Sequence, residues 1–168
     1  MLTFPLEDLV TAFFFILPAF VANSMPMVFG GGGAPIDMGR LFLDGQRILG
    51  SSKTVKGFLS GLFLGSSVAV LEGLIFEPRL AALGFLISLG ALLGDLFGAF
   101  LKRRMRLPPG YPLPLLDQLD FIFGAVLLTY PFQMYRPSVI FILLLVTPPF
   151  HLFTNIIAYL MKAKKTFW

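Results

Sequence analysis

Five apolar runs, set apart by charged or proline-bearing connectors, are what this chain has to fold around. They extend roughly from Leu9 to Phe29, Gly57 to Phe76, Leu80 to Leu101, Leu119 to Tyr135 and Ser138 to Met161. A helix needs about 20 apolar residues to cross a hydrocarbon core of about 30 Å. The fourth run is the shortest and reaches that length only if it takes in Asp117 and Asp120. Charged residues make up 13% of the 168, about half the share in an ordinary soluble domain. The expected fold is therefore all-α: an integral membrane protein of five transmembrane helices, forming one membrane domain over residues 1–168. Glu77-Pro78-Arg79 and Arg136-Pro137 read as tight connectors, because proline disfavours helix in the residue before it. A cleavable signal peptide fits the first run poorly. No basic region precedes it, Glu7 and Asp8 do, and the run is long.

Lysine and arginine set the expected orientation. Residues 30–56 carry Arg40, Arg47, Lys53 and Lys56; residues 102–116 carry Lys102, Arg103, Arg104 and Arg106; the tail carries Lys162, Lys164 and Lys165. An odd number of spans puts these segments on one side, with 11 of the 13 basic residues. The positive-inside rule then places the N-terminus outside and the C-terminus in the cytoplasm. The loops of about 30–56 and 102–116 would form the active-site side of a multi-pass protein of the cell membrane. With no cysteine, disulfide frameworks and thiolate metal sites are excluded. No internal repeat is evident. Gly30-Gly31-Gly32-Gly33 reads first as a flexible linker and second as a backbone cradle for phosphate, although no Lys-Ser/Thr follows at P-loop spacing.

Asp95 lies seven residues before Lys102, about 10 Å along a helix. A carboxylate that deep is a functional-site candidate; the alternative is a carboxylate paired with a base for helix packing. Ala91, Asp95, Gly98, Ala99 and Lys102 share a face of small or charged residues, which lets a backbone or ligand approach closely. Asp117 and Asp120, three apart, share a face that Gly124 continues. Capping and the helix dipole account for one of that pair, not for a second acid with a third on the same side. Close carboxylates repel unless a cation sits between them. Oxygen-only ligands suit magnesium, which binds one or two carboxylates together with substrate phosphates. Lys53 and Lys56 stand where the second run begins, and Gly57, Gly61 and Gly65 then repeat every four residues, a close-packing face. Topology marking explains the side these cations occupy. Cations beside metal-binding acids also suit a polyphosphate. Glu72 reads as near-interfacial, and His151 and Asn155 as interhelical hydrogen-bond partners.

These residues resemble the membrane cytidylyltransferase family that includes the phosphatidate cytidylyltransferases. The carriers are Ser51-Ser52-Lys53-Thr54-Val55-Lys56-Gly57, Gly94-Asp95-Leu96, Lys102-Arg103 and Asp117-Gln118-Leu119-Asp120, in family order and on one side. "FLDGQRILG", "PLLDQLDF" and the short length are most similar to the archaeal, CDP-archaeol synthase branch. The resemblance implies that CTP and 2,3-bis-O-geranylgeranylglycerol 1-phosphate give the CDP-activated lipid and pyrophosphate. It implies magnesium, gives the metal role to Asp95, Asp117 and Asp120, and gives catalytic roles to these three and to Lys53. It gives phosphate contact to Lys53, then Lys102 and Arg103, with Arg47, Thr54 and Lys56 completing the nucleotide set. The chain departs from the family pattern in three places. Ala99 stands where Ser is frequent, Lys56 stands where bacterial members have Glu, and "YPLPLL" replaces a His-Gly-Gly. The expected partners are CTP, the lipid phosphate and membrane lipids, with no nucleic acid and the number of copies open.

Three other readings stay open on sequence alone. A cation transporter or channel subunit would use Asp95 as its ion site, usually near the midplane and with repeats. A CDP-alcohol phosphotransferase would need more of its motif than Asp44-Gly45-Gln46-Arg47 supplies. A non-catalytic assembly subunit would need none of the acids.

Overall fold

The computed structural model describes residues 4–160. Lys162, Lys164 and Lys165 lie outside the described residues, as does Met161. Five helices follow one another: α1 (Leu6–Phe29), α2 (Val55–Ile75), α3 (Arg79–Arg104), α4 (Leu116–Thr129) and α5 (Pro137–Leu160). Among the described residues, four segments are long and apolar enough to cross a membrane: Leu6–Phe29, Val55–Ile75, Arg79–Arg104 and Pro137–Ile157.

The fourth helix departs from the expected run. It starts earlier, at Leu116, and ends at Thr129, giving 14 residues. That length corresponds to about 21 Å. Pro131 lacks the N–H that would continue the helix, and the chain turns over residues 130–132 instead. At the other end Leu115, at φ 66°, turns the chain sharply into the first helical turn. The earlier start brings Asp117, as well as Asp120, into the first turns of α4.

The bundle closes through small residues. Gly57, Gly61 and Gly65 of α2 face Pro18, Ala22 and Pro26 of α1, and a Cβ on Gly65 would come within 2.6 Å of Ser88 Oγ on α3. A second stripe, Gly90, Gly94 and Gly98 on α3, takes the backbone of α4. A Cβ on Gly90 would lie 2.6 Å from the Gly124 carbonyl oxygen and 2.7 Å from Ala125 Cα, and one on Gly94 would run into the Asp120 carbonyl oxygen. In lipid, helices associate by packing rather than by hydrophobic exclusion, so such stripes set which helices touch. Aromatic rings fill the wider spaces. Phe20 meets Phe121 and Phe150 edge-on, both at 5.0 Å between centroids, and Phe15 meets Tyr135 at 5.3 Å.

Each end of the bundle is tied differently. At one end Asp8, buried at the start of α1, accepts from Ser138 Oγ and pairs with Arg136 at 3.3 Å. At the other, the 30–54 loop and the 105–115 loop fold over the ends of α2 and α3. Arg104, the last residue of α3, ties the 30–54 loop to that helix, with its guanidinium 4.6 Å from the Phe42 ring and 4.8 Å from the Phe100 ring, 3.2 Å from Asp44 Oδ1, and donating to the Arg47 carbonyl at 2.7 Å. The glycine run is no plain linker. Gly30 and Gly33 pack on Thr54 and the first turn of α2, whereas Gly31 and Gly32 face open space.

Glu72 lies in the last turn of α2. It is only 6% exposed, and its Oε1 has no hydrogen-bond partner among the described residues. Sequence position put it near a helix end; helix packing put it inside. His151 and Asn155, one turn apart on α5, approach each other at 3.2 Å, and the His151 ring lies 6.1 Å from that of Phe121 on α4.

Candidate active site

The two loops and the ends of α3 and α4 enclose a cavity of about 140 Å³. All three candidate acids line it, Asp95, Asp117 and Asp120, together with Lys53, Lys102 and Arg103; Leu49, Ser52, Ala99, Pro109 and Gly110 complete the wall.

Each acid reaches the cavity by its own route. Asp95 projects from α3 on the face of Ala91 and Ala99, both buried. The Lys53 ammonium donates to both of its oxygens at 2.6 Å. Lys53 itself is held by backbone pairing. Its carbonyl accepts from the Ile36 N–H at 2.8 Å, and the Val55 N–H donates to the Ala34 carbonyl at 2.9 Å. Burial would lower the Lys53 pKa, but the Asp95 charge, its hydrogen bond, and the charges of Asp120 and Asp117 hold it above the ordinary lysine range.

Asp117 forms an ion pair with Lys102 and accepts from the Leu113 N–H at 3.1 Å. Lys102 also donates to the Tyr111 carbonyl at 2.9 Å. Asp120 differs. Its Oδ1 accepts from the Phe121 N–H at 2.7 Å, and among the described residues it forms no ion pair. Gly98 sets where this carboxylate lies, since a Cβ there would sit 3.0 Å from Asp120 Cγ and collide with Oδ2.

Arg103 is the counterpart of Asp120 among the cations. It is 8% exposed, donates to the Pro108 carbonyl at 3.1 Å, and has no ion pair among the described residues; its Nε is buried without a partner. A buried guanidinium with a spare donor is well suited to an anion.

Three of the expected nucleotide-binding residues lie elsewhere. Thr54 caps α2: its hydroxyl accepts from the Gly57 N–H at 3.1 Å and donates to the Gly30 carbonyl at 2.9 Å. Lys56 is exposed on the first turn of α2. Arg47 is turned onto Asp37, with its Nε 3.3 Å from Asp37 Oδ2 and its Nη2 on Oδ1. Asp37 was not singled out from the sequence. It also accepts from the N–H groups of Gly39 at 3.0 Å, Leu49 at 3.0 Å and Gly50 at 2.9 Å. Burial pushes its pKa up, but the Arg47 bond and the three backbone bonds outweigh it and hold the carboxyl well below the usual range. The one sequence signal was an aspartate in a loop rich in glycine, which by itself marks only a turn.

The donor chemistry fits magnesium. Three carboxylates line one cavity, and two of their cations are flexible lysines. Among the described residues no three acids cluster tightly enough to hold a metal alone. Magnesium does not require such a cage, since it commonly shares its ligands with substrate phosphates.

A family model described as CarS-like, CDP-archaeol synthase, matches residues 6–168. The CDP-archaeol synthase of Pyrococcus furiosus is 45% identical over 168 residues, covering 97% of this chain and 100% of its own length. That of Methanococcus aeolicus is 45% identical over 172 residues, covering 95% and 96%. A solved structure, described as an intramembrane enzyme for archaeal membrane lipid biosynthesis, superposes with a TM-score of 0.82 at 41% identity, covering 88% of this chain and 94% of that one. With a match along nearly its whole length and an acid-and-lysine cavity at one end of an apolar bundle, the chain belongs to the CDP-archaeol synthase family.

Proposed function

We propose that the cavity is where this CTP-dependent cytidylyltransferase joins its two substrates, and that each wall has its own task. The reaction is transfer of the cytidylyl group of CTP to 2,3-bis-O-geranylgeranylglycerol 1-phosphate, giving unsaturated CDP-archaeol and pyrophosphate. The observation that carries the placement is the lining: three carboxylates and three cations face one small space.

Lys53 and Lys102 lie on acids at present. A triphosphate in the cavity competes for both ammonium groups, and releases Asp95 and Asp117 as it binds them. Arg103 meets phosphate oxygen through the N–H groups it does not use internally. Asp95, Asp117 and Asp120 would hold magnesium jointly with phosphate oxygens, where it would neutralise charge growing on the leaving pyrophosphate. A lipid phosphate is ionised near neutral pH, so its oxygen can attack the α-phosphorus without a general base. What the residues supply is alignment and charge neutralisation. The lipid tails remain in the bilayer beside the bundle.

The same reading makes α4, with the residues up to Arg136, the fifth crossing. The N-terminus is then outside, and the cavity and C-terminus face the cytoplasm. The shared position of the 30–54 and 105–115 loops at one end, where Leu49, Ser52 and Lys53 line one cavity with Pro109 and Gly110, supports this. So does their content of Arg40, Arg47, Lys53 and Arg106. Purified protein tests the activity directly. CTP with the lipid phosphate should release pyrophosphate, and other nucleoside triphosphates should do so poorly. Release of CMP from a CDP-lipid, or no turnover with CTP, would overturn the reading.

A further inference from the structure

Asp37 is a buried acid that the transfer chemistry leaves without a task. Its side chain is 0% exposed, yet five N–H bonds from four residues converge on its two oxygens. We infer that Asp37 is a positioning residue, which sets the Lys53 ammonium in the cavity by gathering the Leu49–Gly50 turn and the Arg47 guanidinium onto one carboxylate. The inference rests on the phosphate role proposed for Lys53.

Two short routes join Asp37 to Lys53. Leu49 and Gly50 give their N–H groups to the same oxygen, Oδ2. Leu49 lines the cavity, and Ser52 and Lys53 follow within a few residues. On the other side, Ile36 precedes Asp37 directly and donates its N–H to the Lys53 carbonyl at 2.8 Å. The carboxylate therefore sits between the two strands of backbone that carry Lys53. Regular structure contributes little here: the 30–54 loop has only the isolated bridges Pro35–Thr54 and Leu41–Arg47. Gly50, at φ +107°, places the turn in a conformation other residues rarely adopt.

The clamp extends to the opposite wall. Arg47 gives its guanidinium to Asp37, and its carbonyl accepts from Arg104 at 2.7 Å. Arg104 ends α3, next to Lys102 and Arg103. Asp37 thus links the loop that carries Lys53 to the helix end that carries the other two cavity cations. An asparagine at 37 keeps the shape but turns one acceptor into a donor. Either the Arg47 Nη2 and Gly39 N–H, or the Arg47 Nε, Leu49 and Gly50 N–H groups, then face an NH2.

A double-mutant cycle between Asp37→Asn and Lys53→Ala tests this, using full-length protein in detergent, steady-state kinetics and a melting curve. A positioning role predicts that Asp37→Asn raises KM for CTP roughly tenfold, the scale of one lost charge-assisted contact. KM for the lipid phosphate should stay within about twofold by the same relation. In the Lys53→Ala background, Asp37→Asn should add almost nothing, because the group it positions is gone. Full additivity, an equal rise in both KM values, or unchanged kinetics in a folded Asp37→Asn enzyme would overturn the inference. Should Asp37→Asn fail to fold, Arg47→Lys, which keeps the charge and loses the fork, carries the same cycle with the same outcomes. The parent reading fails separately: Lys53→Ala alone would then leave KM for CTP unmoved.

Discussion

The Lys53 ammonium lies 2.6 Å from each carboxylate oxygen of Asp95, although 42 residues separate them in sequence. A lysine laid across both oxygens blocks them until a better anion draws it off. Lys102 covers one oxygen of Asp117, and the Leu113 N–H takes the other. Metal and nucleotide should therefore bind with positive linkage. Manganese titrated into the protein and followed by EPR should bind weakly alone, and more tightly with an unreactive CTP analogue. Lys53→Met should tighten binding of manganese alone by roughly tenfold or more, since it frees Asp95 and makes the cavity more negative. Unchanged or weaker binding in that variant would show that Lys53 does not guard the acid.

Asp95→Asn, Asp117→Asn and Asp120→Asn keep size and remove charge. Each should lower turnover by about a hundredfold or more, equivalent to about 3 kcal/mol. Of the three, Asp120→Asn should disturb the unliganded fold least, because no ion pair is lost. Pyrophosphate release and melting in detergent, measured side by side, separate the two effects. An Asp120→Asn enzyme with full activity and full magnesium dependence removes Asp120 from the site.

Gly98→Ala probes position rather than charge. Its Cβ would collide with Asp120 Oδ2, the flexible end of a side chain, so the acid can swing away while the helices stay packed. The variant should fold and lose about tenfold or more in kcat. Gly94→Ala presses on the Asp120 carbonyl, which is backbone and has nowhere to move. It should lower melting stability by about 1–3 kcal/mol, the usual range for overpacking. If Gly98→Ala retains full kcat, the exact place of the Asp120 carboxylate does not matter to the reaction.

Asp37 gives a pH dependence whose sign follows from its lowered pKa. An unfolded aspartate titrates near about 3.9. The stabilisation is complete above that value and declines as pH falls towards the lower folded pKa. The melting difference between the natural protein and Asp37→Asn should be flat from neutral pH to about 5 and should shrink below about 4. A difference that already collapses near pH 6 would mean that Asp37 is not held as the charged acceptor of those bonds.

Orientation has a direct check. A reporter fused after Trp168 should be cytoplasmic, and one placed in the Glu77–Arg79 connector should be outside. The reverse result would turn the cavity to the wrong side for CTP.

The helices were legible because hydropathy is local: each run carries its own reason to be a helix in lipid, and four of the five keep nearly the bounds the runs suggest. The candidate acids were legible too, since a carboxylate in an apolar run is conspicuous wherever the chain goes. Partnership was not. Arg47 and Lys53 are alike from sequence, both basic and both in the same loop, yet one ends on Asp37 and the other on Asp95. Thr54 reads as a phosphate contact beside Lys53, and instead caps α2. The Gly57-Gly61-Gly65 repeat announced a packing face, while Gly90 and Gly94, which continue the same spacing back from Gly98, were hidden behind the interest of Asp95. Sequence determined which segments are helical and which residues are costly to bury. Only the packing of α3 on α4, and of the 30–54 loop on α3, decided which charges meet. Ion pairs between distant residues depend on where backbones cross, and no local property of either residue fixes that.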